Sequence, residues 1–126
     1  MLCVATADCV PVYVADPEHE AVAVDTENQC LYLTEDAPNG GFYRFRSANG
    51  FPDLTQGTLE IASVERNQDQ FFVLWRPVPD PLAKQTSTFS QVPDAFGFRG
   101  AEGIALHDGK AYFTTKHDNR VWTYDI

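Results

Sequence analysis

The sequence predicts an all-β fold assembled from repeated antiparallel units, and three observations predict it. A three-part block occurs twice, each part alternates apolar and polar residues as strands do, and no stretch has the periodicity of a long helix. The first copy runs His19-Glu20-Ala-Val-Ala-Val-Asp25, then Cys30-Leu-Tyr-Leu-Thr-Glu-Asp36, then Gly41-Phe-Tyr-Arg-Phe45. The second runs Ala101-Glu102-Gly-Ile-Ala-Leu-His107, then Ala111-Tyr-Phe-Thr-Thr115, then Arg120-Val-Trp-Thr-Tyr124. In each, an acid opens an alternating strand, an aromatic strand ends in Thr, and a second aromatic strand follows. Copies of one such unit within a chain mark a repeat architecture, most often a β-propeller. The expectation is therefore β-propeller-type four-stranded antiparallel blades, incomplete, with fewer than two blades present.

Residues 1–18 read as a lead-in with one candidate strand over residues 10–14. Strands are expected over 21–24 and 30–34, joined by a turn at Asp25-Thr-Glu-Asn28. Pro38-Asn-Gly-Gly41 is a turn signal, because Asn and Gly accept positive φ at little cost. Over 42–46, Phe42, Arg44 and Arg46 share one face and Tyr43 and Phe45 the other, with the arginine stems packing and their heads in water. After the Asn49-Gly50-Phe-Pro52 turn, residues 58–64 complete a four-stranded blade. Residues 71–76 form a further apolar run, expected to be buried. Residues 77–97, with four prolines, read as a long excursion of the kind that often carries function, with a short helical turn near residues 94–96. The second unit then supplies strands over 104–107, 111–115 and 121–124. It stops one strand short of a blade, as expected of a central segment of a longer protein; open sheet edges would otherwise invite self-association.

The 126 residues suffice for one domain with a real core. Eighteen acids against nine bases give a net charge of −9, which argues against nucleic-acid binding and against adhesion to anionic membranes. The three cysteines, Cys3, Cys9 and Cys30, match no zinc spacing. Cys30 reads as a small core residue, and a Cys3–Cys9 bridge requires an oxidising compartment. Residues 1–15 carry no Lys or Arg and are interrupted by Asp8, so they do not read as a signal peptide; the compartment stays unknown.

Chemistry is sought first at Glu20 and Glu102. Acids at equivalent starts of two innermost strands would converge on one mouth of a propeller channel, where a bound cation relieves their repulsion. The other reading has each glutamate bonding loop amides. Glu35 and Asp36 could hold a hard cation together. The second copy has Thr115-Lys116 there, so the repeat itself does not require those acids. His19 could ligate metal or satisfy a carbonyl, and Arg99 could clamp a phosphate or pair with Glu102. No Walker loop, dinucleotide glycine fingerprint or Gly-x-Ser-x-Gly elbow is present.

The ordered series His-Glu-Ala-Val-Ala-Val-Asp, Leu-Tyr-Leu-Thr-Glu-Asp, Gly-Phe-Tyr-Arg-Phe, Ala-Glu-Gly-Ile, Ala-Tyr-Phe-Thr-Thr-Lys and Asn-Arg-Val-Trp-Thr-Tyr-Asp closely resembles the PhoX-type alkaline phosphatase family. The resemblance covers residues 19–126. It implies a β-propeller phosphatase acting on a phosphoester substrate, exported, with an iron and calcium cluster at one end of the channel. By position, Glu20, Asp36 and Glu102 correspond to metal ligands of that cluster. Such a cluster suits phosphomonoester hydrolysis by activating an oxygen nucleophile and neutralising phosphate charge.

Two departures accompany the resemblance. In the family an arginine stands two residues before the later glutamate; here that place is Gly100, and Arg99 is one step further off. The family's bridging cysteine and a further glutamate lie upstream of the first motif, and residues 1–18 do not resemble that context. The expected function is a segment of a PhoX-like metal-dependent phosphatase, weak or inactive in isolation. Two alternatives stand beside it: a non-catalytic segment that binds calcium or partners, and a propeller sugar-lactone hydrolase needing one divalent ion.

Overall fold

The computed structural model describes residues 19–126; the candidate strand over 10–14 and the Cys3–Cys9 pair lie outside the described residues. Five strands form the first sheet in chain order: β1 (His19–Asp25), β2 (Cys30–Glu35), β3 (Phe42–Ser47), β4 (Gly57–Asn67) and β5 (Gln70–Pro77). Three more form the second: β6 (Ala101–His107), β7 (Lys110–Thr115) and β8 (Arg120–Asp125). Every pairing is antiparallel. The fold class is the expected one, all-β and not closed into a barrel, consistent with an incomplete propeller-like arrangement.

The turns follow from local chemistry. The Asp25 carboxylate accepts hydrogen bonds from the Asn28 backbone N–H at 3.0 Å and its side-chain amide at 2.8 Å, which folds the β1–β2 connection. The β6–β7 connection is two residues, Asp108 and Gly109, at φ 49° and 70°. Positive φ at both is the hairpin geometry that suits strand twist, and Asp-Gly adopts it readily.

Both faces of the first sheet are buried. One face presents Cys30, Tyr32, Phe42, Ala62 and Trp75 to the second sheet, which answers with Ala101, Ala111, Phe113, Trp122 and Tyr124. Phe42 stacks on Phe113 at 4.6 Å between ring centroids, and the Trp75 indole N–H donates to the Tyr124 hydroxyl at 3.1 Å. The other face presents Leu31, Leu33, Tyr43, Phe45 and Ile61 to Val78, Phe89, Val92 and Ala95. Residues 77–97 are thus a cover for this face, not a free excursion. Two backbone bonds anchor that segment, from the Val78 N–H to the Leu59 carbonyl at 2.9 Å and from the Phe96 N–H to the Ala62 carbonyl at 2.9 Å. Its helical turn lies at Phe89–Gln91, a few residues before the expected place.

Matching registers align the two copies residue by residue. Val22 faces Leu33 across β1–β2, as Ile104 faces Phe113 across β6–β7. In this alignment Leu33 corresponds to Phe113, Tyr43 to Trp122 and Phe42 to Val121. The face that packs inward on the second sheet is therefore the equivalent of the outward face of the first. The sheets stack head to tail, as successive units of a rotational repeat do.

Three expectations need correction. The first sheet carries a fifth strand, because residues 71–76 pair with β4 as a hairpin. That run is only partly buried: Phe71 is 68% and Phe72 47% exposed, and of its residues only Val73 and Trp75 pack against the shared core. The Arg44 and Arg46 heads are not simply solvated. Both hold the Glu60 carboxylate, at 2.8 and 3.0 Å, and Arg44 lies over the Trp75 ring at 4.5 Å. Cys30 is the buried core thiol expected, and burial raises its pKa.

Candidate functional site

The two repeat-opening glutamates occupy equivalent irregularities. The β1–β2 register shifts between His19 and Ala21, and the β6–β7 register between Ala101 and Ile104, so Glu20 and Glu102 each sit within a bulge. Bulges re-aim side chains at strand ends and are common beside functional sites. Strands β1 and β6 lie side by side, and the Thr34 hydroxyl donates to the Glu102 carbonyl, joining the sheets at this end.

Asp36 and Glu102, from different copies, meet at one atom. The Lys116 ammonium donates to Asp36 Oδ2 and lies 2.7 Å from Glu102 Oε1. Hydrogen bonding to Asp36, and then to Glu102, raises the lysine pKa above its ordinary value. The lysine's approach is prepared by the chain around it. Its N–H donates to the Gly100 carbonyl at 2.9 Å, and the Gly100 N–H donates to the Ala37 carbonyl at 2.9 Å. Gly100 has φ +68°, and a Cβ there would come within 2.9 Å of Lys116 Cγ. Glycine is therefore favoured both by backbone conformation and by the lysine stem beside it.

Glu35 and Asp36 part company. The Glu35 side chain turns inward, is 2% exposed, and accepts hydrogen bonds from the Gly41 N–H at 2.6 Å and the Tyr43 hydroxyl at 2.8 Å. Tyr43 also shares a hydrogen bond with Thr88 at 2.9 Å, and the His19 ring meets the Tyr43 ring edge-on at 4.8 Å. Glu35 thus ties the Gly40-Gly41 turn to the core, and only Asp36 faces the lysine. The expectation that Glu35 and Asp36 hold one cation together is therefore corrected: successive residues at a strand end point to opposite faces, and the two carboxylates take different partners.

Glu20 is exposed. Among the described residues no three His, Cys, Asp or Glu side chains gather closely enough to hold a metal ion, so Glu20 does not close a cage with Asp36 and Glu102. Arg99 is exposed as well; its carbonyl accepts from the His117 N–H at 3.1 Å, and the cation paired with Glu102 is Lys116. A separate open cleft of about 540 Å³ lies between the β4–β5 hairpin and β7–β8, lined by Phe71, Phe113, Trp122 and Tyr124 among others, and none of these acids borders it.

These features define a repeat-built antiparallel β protein in which acids from two copies converge at one end of the sheets. The family described as Alkaline phosphatase PhoX matches residues 17–120, and the chain belongs to that family. Neither the curated proteins nor the solved structures contain a match to it.

The family suggests metal dependence, so the donor set can be tested against a metal. A Ca²⁺ ion takes about six to eight oxygen ligands and an open arrangement of carboxylates. Here Asp36 and Glu102 both engage an ammonium, Glu35 is turned into the core, and among the described residues no third acid joins them. As arranged, these residues do not fit the ion.

Proposed function

We propose that the chain is a segment of a PhoX-like phosphatase that hydrolyses phosphomonoesters weakly or not at all in isolation. By resemblance Glu20, Asp36 and Glu102 stand at ligand positions of the family's iron and calcium chemistry, two of which Lys116 engages in this chain, and Arg99 is the proposed contact for substrate phosphate. The observation that carries this reading is the meeting of Asp36 and Glu102, which the repeat brings from separate sheets to one point. Weak activity follows from the charge balance there: the Lys116 ammonium already engages both carboxylates, and Gly100 offers no side chain to a phosphate.

The test is turnover of an aryl phosphate by the purified chain with iron and calcium supplied. We expect no turnover above a Glu102→Gln control. Robust turnover lost in Glu20→Gln and in Glu102→Gln would overturn the reading. The interaction alternative draws support from the exposed aromatic tip at Phe71 and Phe72 beside the open cleft. Among the described residues no feature favours the lactone hydrolase.

A further inference from the structure

Within the aligned repeat, Lys116 is the residue equivalent to Asp36. Glu35 lies opposite His19 and Thr115 opposite Ala101, so the next residue of each copy is Asp36 in one and Lys116 in the other. At this strand end the copies carry opposite charges, and here the two side chains meet. We infer that Lys116 is the resident cation of the Asp36–Glu102 pair, a side-chain ammonium standing where two converging carboxylates would otherwise call for a metal ion.

Three observations carry this. Both carboxylates are within bonding reach of one nitrogen. The lysine is positioned from its backbone outward, by the bond from its N–H to Gly100 and by the space that Gly100 leaves for its stem. The trio spans both sheets, with Asp36 just after β2, Glu102 in β6 and Lys116 just after β7, so the ammonium clamps the units together. Its three side chains are 27%, 33% and 45% exposed. Water therefore screens the attraction, and the clamp is a modest one. What it decides is which cation sits there. A divalent ion would have to displace a tethered, already paired ammonium before gaining two ligands.

The test reads stability, not turnover, and so stands apart from the hydrolytic proposal. In the wild-type chain, Asp36→Asn should lower the unfolding midpoint, because it removes a partner of Lys116. In a Lys116→Met background the same substitution should raise it, because Asp36 and Glu102 then repel each other. This reversal of sign is the expected result. The same sign in both backgrounds overturns the inference. Should Lys116→Met fail to fold, acylation of lysines in the wild-type chain decides. Lys116 should react more slowly than Lys84, faster in Asp36→Asn, and at a rate unchanged by millimolar Ca²⁺. Faster reaction of Lys116 on adding Ca²⁺ would mean that the metal displaces it, and would overturn the inference equally.

Discussion

The same face is core in one sheet and surface in the other. In the first sheet Tyr32 and Phe42 lie on the face that meets the second sheet, each 1% exposed. The repeat equivalents in the second sheet are Tyr112 and Val121, on its outer face, where Val121 is 71% exposed. Backbone register, turn position and the bulge at the opening glutamate are shared, so strand geometry does not require the burial. Burial is supplied by whatever packs alongside. The residue types record it: Phe42 gives way to Val121 and Arg44 to Thr123. A rotational repeat can thus keep its strands while each face is tuned to its own neighbour.

The largest test of this contrast is a matched pair of truncations. Phe42→Ala should cost about 3–5 kcal/mol, as expected for a ring removed from a packed core. Val121→Ala at the equivalent position should stay within about 0.5 kcal/mol, as surface changes do. Urea unfolding of the two variants measures both; equal costs would mean that the outer face of the second sheet is covered in solution.

A smaller effect is expected at the sheet corners. Glu60 accepts from both Arg44 and Arg46 and is 7% exposed. Glu60→Gln should cost about 1.5–3 kcal/mol, in line with a lost charged acceptor. The corresponding corner of the second sheet holds the exposed Lys110–Asp125 pair, and Asp125→Asn should leave the urea midpoint nearly unchanged. If the two substitutions cost the same, burial is not what separates the corners.

The smallest effect is an acid-side one. Hydrogen bonds from Thr55 and Asn49 hold the Asp53 carboxyl at about 2, below its ordinary 3.8. A carboxylate depressed by folding stabilises the folded state above its unfolded value and loses that contribution as pH falls through the folded one. The loop joining β3 to β4 should therefore loosen as pH falls from 3.8 towards 2. Asp53→Asn should remove that part of the acid response, which amide exchange in the loop would report.

Strands, turns and the split between Phe42 and Tyr43 were legible because alternation and turn chemistry are local. The β4–β5 hairpin partnership, the Glu60 clamp on two arginines and the cover laid down by residues 77–97 were not, since each depends on which distant segment arrives alongside. The candidate site was half legible. The copies themselves marked position 116 as a place where acid becomes base, and the resemblance singled out Asp36 and Glu102 together with Glu20, which stays apart from them. What no local pattern carried was that all three side chains converge, because that depends on how the two sheets stack.

The most direct test of the whole account is thermal unfolding of the wild-type chain followed by near-ultraviolet circular dichroism, with and without millimolar Ca²⁺. Trp75 and Trp122 report from the first and second sheets, and a ligand that binds only the folded state raises the midpoint. A packed pair of sheets with Lys116 as its resident cation predicts one cooperative transition that Ca²⁺ leaves in place. An upward shift with Ca²⁺ that disappears in Asp36→Asn and in Glu102→Gln would contradict it, and would mean that the carboxylates take the metal despite the lysine.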